Sequence, residues 1–495
     1  MPKARFAVSK KLEENLEVLK EELGYGVTFD LVFRRLRVAH KQACLIFFDG
    51  FIQDEAVIHI LRALQAVPRM GVTLAALQQD LENVIPYFEM SMADSLEAAM
   101  DQVLSGAMLL LIDGVQEVVV LDVRQYVVRG SEEPTLEKVT RGSRDGFVET
   151  ALFNINLIRR RIRDPQLRFE ALQVGRRSKT DVMVGYIEDV ADPSLVNEVK
   201  SRIEAIDRDA IPMGGKNLEE YILGTVFNPL PVTRYTERPD VAAAKILEGR
   251  VAVLVDGSPF ALTMPYLLVE AFQANEDYYN HWMVASFHRL IRYISFFITT
   301  STPAIYIALI SYHPQLIPTN LVVSISAARK NVPFPGIVEV IIMGLVFEIL
   351  REGGVRLPRP IGQAVSIVGA IVLGEAAVSA SLVSAPMIIV VGLTGVAGFV
   401  NPWLNDIAVL FRLLFVVLAS VLGLYGYVLG VIAVVLLLSS MESFGVPYLS
   451  TMTTLVPQDI KDTLLRVPWW QMTLRPRYLA SKDRQRLQGR GGRGS

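Results

Sequence analysis

The chain has 495 residues, is 51% hydrophobic and is nearly neutral, with 49 Lys and Arg against 51 Asp and Glu. This is too apolar for an average soluble enzyme and too charged for a membrane bundle alone, so the sequence is composite. Charge divides along the chain as hydropathy does: Met1 to Arg289 holds 33 basic and 42 acidic residues, whereas Arg475 to Ser495 holds 7 and 1.

The opening stretch MPKARFAVSKKLEENLEVLKEEL is charged throughout and has no apolar core, so it does not read as a signal peptide, and the N-terminal half is expected in the cytoplasm. Leu12, Leu16, Leu19 and Leu23 fall at helical spacing among Glu and Lys, which predicts an amphipathic helix. An apolar run ending in Asp-Gly then recurs three times, as CLIFFDG (Asp49, Gly50), LLLIDG (Asp113, Gly114) and VAVLVDG (Asp256, Gly257). The second and third copies are followed by further apolar runs and read as β-hairpins, whose glycine supplies the positive φ of a tight turn. The first leads into a helical pattern and reads as strand, turn, helix, with Asp54 as the cap. Turn-making accounts for all three aspartates without a catalytic role. Cys44, the single cysteine, lies in the apolar run of the first copy, so no intrachain disulfide can form and the thiol reads as buried and inert.

Gly146 to Ile162 has helical periodicity and ends in three arginines, Thr180 to Glu188 reads as a strand, and Ser194 to Ile206 as another helix. The alternation predicts a mixed α/β region of two subdomains. The three prolines between Leu223 and Asp240 place the expected boundary there, giving 1–222 and 223–289.

From Leu290 the texture becomes that of an all-α membrane domain, 290–447, with about six expected spans: Leu290 to Tyr312, Pro333 to Leu350, two within Ile361 to Val400 broken near Ser384-Ala385-Pro386, and two within Asn405 to Gly445 divided near Gly423. One long helix plus an interfacial segment is the alternative for the last pair. Arg351, Arg356 and Arg359 follow the second span and fit a cytoplasmic loop, while Arg329 and Lys330 fall on the opposite side. Glu339, Glu348, Glu375 and Arg412 are the ionisable groups inside these spans. Glu348 and Arg412 are near enough to span ends to snorkel. Glu375 lies about 14 residues, ~20 Å, into its span, on a stretch rich in small residues that includes Ser366 and Ser379. Close helix packing and pore lining explain such a stretch equally well. The basic tail, 448–495, with Trp469, Trp470, Arg475 and Arg477, reads as a cytoplasmic anchor to membrane lipids.

No Walker motif, HExxH or paired cysteines occur, and GRGGRG at the end of the chain has no strand or helix around it. No catalytic group, cofactor, metal or nucleic acid is therefore expected. Secondary transporters are commonly built from related halves, and no correspondence joins Leu290–Leu350 to Asn405–Gly445.

The stretches Glu132 to Leu167, Thr236 to Pro265, NEDYYNHW (Asn275 to Trp282) and Ser366 to Pro402 resemble the A-subunit family of bacterial spore germinant receptors, the GerA family. FDLVFR (Phe29 to Arg34), DGFIQDE and VPWWQMTLRPRYL (Val467 to Leu479) narrow the resemblance to a sporulation branch, with a nutrient-receptor A subunit proper as the other reading. The resemblance implies a germination role in the inner spore membrane, a homo-oligomer that conducts ions, and other germination membrane proteins as partners. A scaffold that passes signals without conducting is the alternative.

Overall fold

The computed structural model describes residues 6–38, 41–52, 54–66, 89–124, 134, 137, 139, 141–211, 214–223, 230–356, 374–453, 460–479 and 483–486. The chain forms two units: Met1–Tyr266 with Ser443–Val446 and Trp470–Ser495, and Leu267–Glu442 with Pro447–Trp469.

The first unit is α/β and built from one pattern used twice. The first half runs α1 (Leu12–Leu23), β1 (Leu31–Val38), β2 (Lys41–Phe48), α2 (Asp54–Ala66), β3 (Met90–Ala93), α3 (Leu96–Leu104), β4 (Met108–Ile112) and β5 (Val118–Leu121). The second runs α4 (Ala151–Arg159), β6 (Leu167–Val174), β7 (Thr180–Ile187), α5 (Pro193–Glu204), α6 (Gly215–Leu223), β8 (Arg234–Thr236), α7 (Pro239–Leu247), β9 (Val251–Val255) and β10 (Ala261–Met264). The sheet orders are β1-β2-β4-β5-β3 and β6-β7-β9-β10-β8, the same topology, with antiparallel neighbours.

Strand alternation builds the core. Cys44, Ile46 and Phe48 of β2 pack under α1 and α3, while Ala43, Leu45 and Phe47 face α2 on the other side. Such a strand is apolar on both faces, which is why CLIFF shows no polar alternation. In the second half α4 and α7 cover Phe169, Met183 and Leu254.

The two Asp-Gly hairpin turns perform one task twice. Asp113 accepts from the Leu12 amide at the start of α1 (3.1 Å) and Gly114 N–H donates to the Lys10 carbonyl (2.7 Å). Asp256 accepts from the Ala151 amide at the start of α4 (3.0 Å) and Gly257 N–H donates to the Glu149 carbonyl (2.7 Å). Three residues into each helix an asparagine closes the preceding loop: Asn15 exchanges two hydrogen bonds with Ser9, and Asn154 two with Val148. Each turn aspartate thus supplies a helix N-terminus with an acceptor from a distant part of the chain. The halves divide between β5 and α4. The expected boundary at 223 falls inside the second half: of the prolines that suggested it, Pro231 precedes β8, Pro239 opens α7 and Pro229 lies outside the described residues.

A buried ion pair joins the halves. Arg159 of α4 binds Asp30 through Nε (2.5 Å) and Nη2 (2.8 Å), with Thr28 bonded to both partners. Its guanidinium lies 4.3 Å from the Phe48 ring centroid and 5.1 Å from that of Phe169.

The second unit is helical: α8 (Trp282–Ser311), α9 (Thr319–Arg329), α10 (Gly336–Arg356), a helical turn at 374–379, α11 (Ala385–Gly398) and α12 (Asn405–Ser440). Two stretches, Trp282–Ser311 and Pro402–Ser440, are long and apolar enough to cross a membrane. The α12 stretch is not straight. Gly423 has φ 62° and ψ −144°, the Phe415 and Tyr427 rings are 5.6 Å apart, and Phe415 also packs on Gly430. In a straight helix residues 415 and 430 would lie about 22 Å apart at 1.5 Å per residue, so the chain reverses at Gly423 into two antiparallel arms. On α8, Met283, Phe287, Leu290, Ile294 and Phe297 form an exposed apolar stripe, while Ala285, Arg289, Ser295 and Thr299 face inward.

Candidate functional site

Among the described residues of the helical unit, three clusters of paired charges stand out. At the start of α8, Arg289 is fully buried between Asp277 (3.2 Å) and Asp462 (2.9 Å), and Arg292 binds both oxygens of Asp277 (2.7 and 2.8 Å). Arg289 also donates to the carbonyls of Asp462 (2.7 Å) and Thr463 (3.2 Å). Segment 460–466 is thereby tied to the inner face of α8. The outer face is already apolar at this level, so both arginines are held where water is scarce, and only full pairing makes that tolerable.

Glu339 on α10 is fully buried. It accepts from the Ser384 amide (2.9 Å) and hydroxyl (2.7 Å) at the start of α11, and pairs with Arg329 (3.2 Å). A carboxylate at a helix N-terminus is favoured by the exposed amides and the dipole. Further along α10, Glu348 pairs with Arg412 (2.8 Å) and Arg351 (2.7 Å). Both residues expected to snorkel instead neutralise each other.

Glu375 is treated differently. It lies on the helical turn at 374–379, exposed on the chain, with no hydrogen bond or ion pair to any described residue. Ser379 is likewise exposed, and Ser366 lies outside the described residues. Of the four ionisable groups placed in apolar stretches, three are matched, and Glu375 has no partner among the described residues.

Residues 17–478 match the family described as Bacillus/Clostridium GerA spore germination protein. The chain belongs to the GerA family. Among its relatives in Bacillus subtilis, the uncharacterized membrane protein YfkQ is 40% identical over 95% of this chain and 91% of its own. Spore germination protein KA is 38% identical, over 97% and 88%. Stage V sporulation protein AF, the branch to which the narrower resemblance pointed, is 32% identical over 97% and 98%, so identity does not single that branch out. The relatives of this GerA-family chain are thus spore germination and membrane proteins.

The remaining residues singled out in the sequence fall into place by geometry. Gly50, Gly114 and Gly257 have φ of 78°, 86° and 81°. Gly50 faces Asn156 of α4, and the side chain of Asp54 lies outside the described residues. Trp469 and Trp470 are both exposed, and the Arg466 guanidinium sits 5.2 Å from the Trp469 centroid. Arg475 also bonds within the chain: its Nε donates to the Leu247 carbonyl (2.8 Å), and its Nη1 donates to Asp483 (2.7 Å) and the Gln485 carbonyl (2.9 Å). The Asp483 carboxyl is held below its usual range by the Gln485 amide and by Arg475. Arg477 and Arg484 remain exposed. Among the described residues no group of His, Cys, Asp and Glu converges as a metal would require.

Sequence reasoning missed the Arg289 cluster. Asp277 was read only as part of NEDYYNHW, and nothing in local spacing links it to Asp462, 185 positions away. Two arginines on one turn of an otherwise apolar helix were the available signal.

Proposed function

We propose that this chain is a spore germination subunit of the inner spore membrane that assembles with copies of itself into an ion-conducting oligomer, with the α/β unit and the tail in the cytoplasm. Membership of the GerA family supports the germination role. The single observation that supports conduction is Glu375, exposed and without a partner among the described residues, whereas Glu339, Glu348 and Arg412 are paired. Left against hydrocarbon, such a carboxylate would cost several kcal/mol, of order 2–4 by insertion scales. Water in a central path removes that cost, and one carboxylate per subunit would form a ring that attracts cations.

Six passes are the reading that fits the helix directions. Gly336 at the start of α10 packs on Ile310 near the end of α8, so α10 returns. Ser384 lies by Glu339, and Asn401 bonds the Arg292 carbonyl (2.7 Å), so α11 runs back along α8. The Tyr312 hydroxyl donates to the Ser420 carbonyl (2.6 Å), which sets the reversal of α12 beside the far end of α8. The two arms of α12 bring the passes to five, and the sixth is the one expected before Ser384, where residues 357–373 lie outside the described residues.

The second reading, a receptor A subunit acting as a signalling scaffold, draws on the Arg289 cluster, which ties the C-terminal segment to α8 and suits passing a signal. Flux measured in liposomes containing the purified full chain separates the two. Cation flux above that of protein-free liposomes is expected, and its absence in correctly inserted protein would leave the scaffold.

A further inference from the structure

Between the far end of α8 and the short helix α9 lies a cavity of about 230 Å³. Its lining is of two chemistries: apolar Ile310, Ile317, Val322 and Ile325, and polar Ser326, Arg329 and Lys330. At roughly 30 Å³ per water, it has room for a phosphate and the start of a chain, not for a whole lipid.

The charge of the polar lining is not balanced. Arg329 shares one nitrogen with Glu339 (3.2 Å), whose other oxygen is occupied by the Ser384 amide and hydroxyl, and its Nε–H has no acceptor. Lys330 has no acidic partner among the described residues. One positive charge is left over beside a guanidinium N–H and the Ser326 hydroxyl. Next in sequence to lining residues, Leu316, Leu321 and Val323 are exposed and apolar, which suits a surface against hydrocarbon rather than bulk water. A free anion would make no use of the isoleucine wall, and a neutral lipid would make no use of Lys330. A ligand with an anionic head and an apolar tail uses both.

We propose that this cavity binds an anionic phospholipid of the surrounding bilayer. Its phosphate lies against Arg329, Lys330 and Ser326, and its proximal chain along Ile317, Val322 and Ile325. The proposal rests on the membrane reading above. It also gives Arg329 and Lys330, which oppose the distribution of basic loops expected for this orientation, a local reason to be there.

The test uses the full chain reconstituted in phosphatidylcholine vesicles doped with a photoactivatable phosphatidylglycerol or a photoactivatable phosphatidylcholine, with crosslinks mapped by mass spectrometry. The phosphatidylglycerol probe should label peptides covering Ile310 to Lys330 several-fold more than the phosphatidylcholine probe. Lys330→Glu and Lys330→Gln should abolish that preference and Lys330→Arg should retain it. Unlabelled phosphatidylglycerol should compete, and inorganic phosphate should not. Equal labelling by both probes, indifference to Lys330→Glu, or displacement by inorganic phosphate would overturn the proposal, the last by assigning the site to a free anion. Flotation and resistance to alkaline extraction of the same vesicles read the membrane reading separately. A chain that floats and resists extraction but lacks the preference refutes only the lipid site, and one that is extracted refutes the membrane reading itself.

Discussion

In the α/β unit, Asp30 and Arg159 are buried together, hydrogen-bonded through Thr28 and flanked by two aromatic rings, at the seam between two copies of one fold. The helical unit handles Asp277, Arg289, Glu339, Glu348 and Arg412 in the same way, each with an opposite charge in reach. Glu375 does not follow the pattern. A matched buried charge is explained by the fold around it. Glu375 has no partner among the described residues, and the proposal above matches it with water or another copy, so the contrast divides charges explained by the fold from one proposed to be functional.

The largest effects should come from unmatching a matched pair. Asp30→Ala leaves Arg159 buried without a counter-ion, and the full chain in detergent should lose about 3–5 kcal/mol of stability in a denaturant melt. The double replacement Asp30→Leu with Arg159→Met should recover most of that. Arg289→Met should also destabilise, because Asp462 loses its arginine, although Asp277 keeps Arg292. Mild effects from both single changes would break the comparison, since the matched pairs would then not be structural.

Smaller effects test the duplication. Asp113→Ala and Asp256→Ala should each cost about 1 kcal/mol, the usual loss of a helix N-terminal acceptor, and the corresponding Asn variants a fraction of it. Gly257→Val should cost about 1–2 kcal/mol from its positive φ alone, since a Cβ there meets no atom within 4 Å. Clearly unequal costs for the two aspartates would argue against equivalent roles. An Asp256→Asn chain that folds normally but loses activity would point to chemistry at that turn.

The smallest effect should be at Cys44. Burial pushes its thiol up to about 11, against the pull of Arg35 and Lys20. Native protein at pH 8 should not react with maleimide until it is unfolded. This silence lets cysteines at Ser481 or Ser495 report topology: resistance to an impermeant reagent in intact membranes places the tail inside, and ready labelling would mean an odd number of passes.

The hairpins at Asp113-Gly114 and Asp256-Gly257 were legible because a type of turn dictates its residues locally. So was the break near Ser384, where Ser381 has φ 53°. The duplication was not seen, although the three Asp-Gly copies hinted at it. Its signature lies in Asn15 and Asn154, each three residues into a helix capped from more than 100 positions away. Helix α9 went unpredicted because its apolar residues follow no single face. The partners of Glu339 were equally hidden: Arg329 was read as a charge on the wrong side of the membrane and Ser384 as a chain break. Local pattern identifies which charges are costly, and only tertiary contact shows which are compensated.

The central claim concerns Glu375, which has no partner among the described residues. Purified full chain and its Glu375→Gln variant, matched for insertion and assembly, should be compared for reversal potential and flux under a salt gradient in planar bilayers. Gln keeps the size and polarity but removes the charge, so the wild type should prefer cations and the variant should lose that preference and conduct less. Unchanged selectivity and flux in the variant would contradict the account and place Glu375 at a helix contact instead.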